Sequence, residues 1–277
     1  MWETLRFDYP DIPTKYNPFH HPAGAPGSIG GQFAPADGRG GGSGVVTSRD
    51  FDAIPNLLLA DYDGKLEERW NDLIGEKPGP FIKSLTEGID DEEASTTIIS
   101  GSENIFGDDQ YEYLEIATAG NYHNYSFHIY KDENGNKVVT EPSIIVDQKA
   151  KQGLVAMGRR LLRNSFDAFQ RINVRRAEFI ATLNMGGYAW AKYGCVPDRA
   201  EWNELRGDIK RYNLPKLDHT TSMIARKILD NPNPKAIWVL ADMRGTGKRL
   251  LAGSSWKGSL DITDTQAMRR FRRYVGA

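Results

Sequence analysis

The sequence predicts an α+β or α/β fold, a sheet layer flanked by helices, and three observations carry that expectation. Asn134-Gly135 stands between two β-rich runs, which is the strongest short-range hairpin signal. A long amphipathic segment lies between two apolar strand candidates, and alternating strand and helix patterns continue after it. With 277 residues, 39% hydrophobic and 26% charged, the chain has the means to bury a sizeable core in one or two domains. Wholesale disorder is thereby excluded. A single cysteine, Cys195, excludes an intrachain disulfide framework and a zinc site built on several thiolates. The opening residues include Glu3 and lack an apolar h-region, and no run approaches about 18 apolar residues, so neither a secretory signal nor a membrane partner is expected.

In chain order, residues 1–21 read as a docking segment whose anchors are Trp2, Leu5, Phe7, Tyr9, Ile12, Tyr16 and Phe19. Residues 22–48 read as a flexible arm: between Pro22 and Gly44, glycine and proline take 12 of 23 positions, too few apolar groups to offset the entropy of ordering. A core domain is expected over 49–214 and an extension packed on it over 215–277. Within the core, Leu58, Leu59, Tyr62, Leu66, Trp70 and Leu73 have helical spacing, and Gly75, Pro78, Gly79 and Pro80 end the pattern. Tyr111 to Ala117 reads as a strand, as do Tyr125 to Tyr130 and the run through Val138-Val139, joined at Asn134-Gly135.

Ser143 to Asp147 predicts a buried strand leading into a helix over Gln148 to Ile172. On that helix Leu161, Leu162, Ser165, Phe166 and Phe169 share a face opposite Arg159, Arg160 and Arg163. A strand follows over Val174 to Thr182, then a short helix over Gly187 to Tyr193 and a longer one over Asp198 to Tyr212, stopped before Pro215. The remainder predicts a helix near Thr221 to Leu229, strands at Ala236 to Leu240 and Leu250 to Ala252, and a last helix opened by Thr263-Asp264-Thr265-Gln266.

The order hairpin, strand, glycine-containing turn, amphipathic helix, strand and short helix over roughly 111–200 resembles the core of the GNAT N-acyltransferases. The resemblance implies a mixed sheet flanked by helices, and acetyl-CoA as the acyl donor. In that family a Gln/Arg-x-x-Gly-x-Gly/Ala turn at a helix N-terminus holds the pyrophosphate on unpaired backbone N–H groups. Here Gln152, Gly153, Leu154, Val155, Ala156 and Gly158 fall in that turn, with Val155 and Met157 where the family has glycine or alanine. The segment Tyr188 to Pro197 is similar to the family's run in which a tyrosine protonates the departing thiolate. Trp190 stands at the matching position, so Tyr188 and Tyr193 become the candidate acids. On a helix Tyr188 and Trp190 point about 200° apart, so one cannot replace the other in place.

For a base acting on the acceptor amine, the hairpin and its strand offer His123, His128, Glu141 and Asp147, with Glu141 taken as the leading candidate. Cys195 reads as a small core residue. Gly245-Thr246-Gly247-Lys248-Arg249 lacks the spacing of a phosphate loop and reads as a turn between two strands. No metal is predicted, since His20-His21 has no partner at ligand spacing.

Charge is unevenly spread. Residues 49–147 hold 7 basic against 22 acidic side chains, a net of -15, whereas 148–277 hold 25 against 11, a net of +14. The chain ends in a basic run, Arg269, Arg270, Arg272 and Arg273, which reads as a patch for a nucleic acid or an acidic partner. An overall pI near 6.2 makes nucleic acid the less favoured of these.

Finally, Asn17-Pro18 through Pro22-Ala23-Gly24 to Gly30-Gly31-Gln32-Phe33 resembles a segment at domain junctions of bacteriophage head and other virion-associated proteins. The resemblance implies a phage protein of the host cytoplasm or the virion, with other phage or host proteins as partners of the arm. Three functions follow as expectations: a phage-associated acyltransferase moving an acyl group from CoA to an amine, a non-catalytic virion or interaction protein retaining the fold, and a toxin-like effector.

Overall fold

The structure, a computed structural model, describes residues 45–89, 94–103, 111–146, 153–181 and 183–276. The expected docking segment, and the arm apart from its last four residues, lie outside them. The fold is α+β and divides by its contacts into two compact units, whose described parts are 45–175 and 176–276. The division falls inside the segment 49–214.

The first unit carries α1 (Ser48–Asp52), β1 (Leu57–Asp61), α2 (Leu66–Leu73), α3 (Pro78–Leu85), β2 (Ser95–Glu103), β3 (Tyr111–Ala119), β4 (His123–Lys131), β5 (Lys137–Val146) and α4 (Leu154–Arg171). Its strands run in the order β1-β2-β3-β4-β5. The β1–β2 pair is parallel and the other three are antiparallel, so the sheet is mixed. The hairpin expected at Asn134-Gly135 is present, with Lys131 paired to Lys137 across it.

One face of this sheet is apolar and covered. Leu114, Ile116, Phe127, Ile129 and Val139 are fully or nearly fully buried there, and Phe169 of α4 meets Phe127 edge-on at 5.0 Å. Trp70 of α2 lies between Phe51 and Phe81, at 5.2 and 5.8 Å, and donates its indole N–H to the Glu76 carbonyl at 2.7 Å. This arrangement ties α1, α2 and α3 together. Arg69, also on α2 and 2% exposed, forks onto both carboxylate oxygens of Asp63 at 2.6 Å and reaches Ser100 Oγ at 2.8 Å. The buried guanidinium is thereby compensated by charge and hydrogen bonds.

Two expectations in this unit are corrected. Residues 57–61 are a strand, not the start of a helix; Asn56 at φ 53° and Gly64 at φ 73° bound the segment. Leu58 and Leu59 sit exposed at the sheet edge, so their helical spacing with Trp70 was coincidental. Pro78 opens α3 rather than ending a helix, because proline at the first helical position lacks only a hydrogen bond that would be absent anyway. The β-branched run Thr96-Thr97-Ile98-Ile99 of β2 carried a strand signal that the acidic residues before it obscured.

The second unit begins within β6 (Val174–Ala181) and continues with α5 (Leu183–Tyr193), β7 (Val196–Pro197), α6 (Arg199–Asp208), a π-turn over Ile209–Asn213, a 3-10 turn over Leu214–Lys216, α7 (His219–Leu229), α8 (Ala236–Asp242), α9 (Gly247–Leu251), β8 (Trp256–Asp261) and α10 (Thr265–Val275). Here β8 lies between β6 and β7, antiparallel to both. Gly258 permits the close approach: a Cβ at this residue would lie 2.2 Å from the Val196 carbonyl oxygen.

The strands expected at 236–240 and 250–252 are helices α8 and α9. Short apolar runs do not distinguish strand from helix by periodicity alone. In α8 Ala236, Ile237, Trp238, Leu240 and Ala241 are buried, whereas Val239 is exposed. The final helix opens as its sequence predicts, with the Asp264 carboxylate accepting from the Gln266 and Ala267 N–H groups. Alternation along Trp256 to Asp261 is strict, yet that strand was not expected.

Candidate functional site

Glu141 and the glycine turn belong to the first unit; Tyr188, Tyr193 and the arginine run belong to the second. Each set is described on its own.

Gly153 caps α4 with φ 78° and ψ 140°, a conformation that side-chain-bearing residues rarely adopt. A Cβ on it would meet nothing within 4 Å. The first intrahelical bond runs from the Met157 N–H to the Gly153 carbonyl at 3.1 Å, so the N–H groups of Leu154, Val155 and Ala156 have no acceptor within the helix. Met157 is fully buried and turned into the core. Ala156 is exposed and small, and Gly158 is buried. At Gly153 and Ala156 the main chain is thus free of bulky side chains. Gln152 and Asp147 lie outside the described residues.

β5 is irregular in its pairing with β4. Ser126 pairs with Ser143 and His128 with Thr140, so two steps along β4 match three along β5. The extra residue is a bulge at Glu141-Pro142, opposite Phe127, and it accommodates a proline that has no N–H to give a ladder. Glu141 is thus part of the bulge itself.

The bulge is flanked by a polar group on the sheet face opposite the helices. The registers Glu115↔His128↔Thr140 and Ala117↔Ser126 place Glu115, His128, Thr140 and Ser126 together on that face. Glu115 Oε2 lies 3.3 Å from His128 Nε2. The His128 ring lies 5.5 Å from that of Tyr113, and Tyr113 pairs with Tyr130. The imidazole thus lies beside both Glu115 and the tyrosine row. His123, the other histidine of β4, is buried at the far end of the strand beside Val146. Nothing in the sequence marks Glu115 as a partner of His128; only strand register reveals it.

In the second unit Tyr188 is half-buried and has no ring or hydrogen-bond partner among the described residues. Tyr193 is a packing residue, 5.7 Å from the Trp190 ring, 5.1 Å from Tyr274 and 6.2 Å from Phe271. Trp190 stacks on Phe179 at 4.5 Å with an interplanar angle of 17°. Burial pushes the Cys195 thiol well above its ordinary value, so it remains protonated and unreactive at neutral pH.

The arginine run is divided by its helix. Arg269, Arg272 and Arg273 are exposed on α10, whereas Arg270 is turned inward. Its guanidinium donates to both oxygens of Asp242 at 2.8 and 3.0 Å and lies 5.4 Å from the centre of the Trp238 ring. Asp242 also accepts from Lys192 at 2.7 Å. Arg270 thus serves the packing of α10, not a free surface patch.

Among the described residues no group of three or more His, Cys, Asp and Glu is placed to hold a metal ion, and no helix is long and apolar enough to cross a membrane. No family model, no curated protein and no solved structure matches this chain.

Proposed function

We propose that the chain is a phage-associated GNAT-like N-acyltransferase that moves an acyl group from CoA to an amine. The observation that carries the reading is the succession hairpin, bulged strand, glycine turn and amphipathic helix, with Gly153 holding a glycine-only conformation where three N–H groups lack helical partners.

Bound CoA would supply an activated thioester. The N–H groups of Leu154, Val155 and Ala156 then bind its pyrophosphate, and the exposed Ala156 leaves them accessible. Main-chain N–H groups of β5 near the bulge orient the thioester carbonyl. His128, oriented by Glu115, receives the proton of the attacking amine, with Glu141 of the bulge as the second candidate for that task. The departing thiolate takes its proton from water.

A second reading, a non-catalytic virion or interaction protein, draws on Trp190, which stacks where the family has its acid. The host cytoplasm and the virion are the compartments this proposal entails, and the arm its contact with other proteins.

Thermal unfolding of the full chain with and without millimolar acetyl-CoA tests the proposal. A ligand at 100 times its dissociation constant adds about 2.7 kcal/mol. A saturable upward shift that Ala156→Glu abolishes, while the free variant stays folded, is the expected result. No shift at any concentration overturns it in favour of the second reading.

A further inference from the structure

We infer that the polar group beside the β5 bulge is a binding site for a primary alkylammonium, formed by Glu115, His128, Ser126 and Thr140 with a tyrosine wall. The inference stands on the first unit alone and needs no CoA site. Where acyl transfer also holds, it names the acceptor class.

Two buried hydroxyls start the argument. Ser126 and Thr140 are each 2% exposed, and among the described residues neither Ser126 Oγ nor Thr140 Oγ1 has a hydrogen-bond partner. A buried hydroxyl without a partner costs about 1–3 kcal/mol, so a pair of them on one sheet face calls for a ligand with hydrogen-bond donors. Both flank the bulge, one on each side of Phe127 in register, so one small group placed over the bulge reaches both.

Charge selects the sign of that group. Glu115 and His128 share a row with Thr140, between the Ser126 row and the tyrosines, and the three rows from Ala117–Ser126 to Tyr113–Tyr130–Val138 contain no lysine or arginine. An anion would meet the Glu115 carboxylate unopposed by a fixed cation, whereas an ammonium is attracted by it. Glu115 keeps 19% of its side chain exposed and marks the solvent side of the group.

The wall selects the rest of the molecule. Tyr113, Tyr130 and Val138 are buried as one cluster, with Tyr111 packed on it and its ring 5.4 Å from Tyr130. Ring faces attract a cation, and ring edges with Val138 suit an alkyl chain. A primary ammonium carries three N–H donors, enough for two hydroxyls and a carboxylate. A quaternary ammonium has none.

Calorimetric titration of the full chain at neutral pH with n-butylammonium, n-butyrate and tetramethylammonium tests the inference. Saturable binding of n-butylammonium alone is expected, weakened at least tenfold by Glu115→Gln and by the Ser126→Ala/Thr140→Val pair. That double variant removes unsatisfied hydroxyls, so the free protein is expected to unfold at the same or a higher temperature. Ala156→Glu, which removes the proposed CoA contact, is expected to bind n-butylammonium unchanged, and this separates the two proposals. Absence of n-butylammonium binding, equal binding of n-butyrate, or binding indifferent to Glu115→Gln overturns the inference.

Discussion

Replacing Gly153 by alanine isolates backbone strain, because the added methyl group meets nothing within 4 Å and the whole effect comes from φ 78° and ψ 140°. Holding a residue with a side chain in such a region costs about 1–3 kcal/mol. Alanine also reduces the freedom of the unfolded chain, which returns about 0.4–1 kcal/mol. The balance is a net loss of about 1–2 kcal/mol. For a unit of this size, that lowers its melting temperature by roughly 4–8 °C. Gly207 provides the control. It lies inside α6 without a positive φ, and its Cβ would also meet nothing within 4 Å, so Gly207→Ala is expected to stabilise by about 0.5 kcal/mol. Differential scanning calorimetry of the two variants reads opposite signs for the same chemical change. An unchanged or raised melting temperature for Gly153→Ala would refute the claim that the turn requires a glycine-only conformation.

Two further outcomes follow from the second unit. Gly258→Ala places a Cβ 2.2 Å from the Val196 carbonyl oxygen and 2.8 Å from the Pro197 Cα, so separating β7 from β8 is expected to cost about 3 kcal/mol, read as a lower denaturant midpoint. Burial pushes the Asp242 carboxyl up, but hydrogen bonds from Arg270 and Lys192 outweigh it and hold the group below its ordinary 3.8. A depressed carboxyl contributes stability that is fully present above its unfolded value and disappears as pH falls through the lower folded value. Asp242→Asn is therefore expected to be less stable than the native chain by about 1–2 kcal/mol near neutrality, a figure reduced for solvent screening. The difference should close in acid, below the folded value. A gap that persists at low pH would show that the pair acts through packing rather than charge.

The sequence by itself determined the elements whose signal is local. The Asn134-Gly135 turn, the face of α4 that carries Phe166 and Phe169, and the Asp264 cap each depend on residues within a few positions of one another, and each is found where its pattern lies. Residues 57–61 and 236–240 were misread because a short apolar run suits either backbone, and packing alone selects the conformation. The candidate site divides along the same line. Gly153 was legible as a turn residue, while the approach of Glu115 to His128 and the bulge at Glu141-Pro142 arise from register between strands distant in sequence. Arg270 gives the same lesson on the surface: Arg269, Arg272 and Arg273 of the same run are exposed, and only the tertiary position of Asp242 turns Arg270 inward. Local patterns fix backbone conformation through nearest-neighbour sterics and periodicity. Partners across a sheet or between helices depend on which distant segments come to lie side by side, which is decided only when the chain packs.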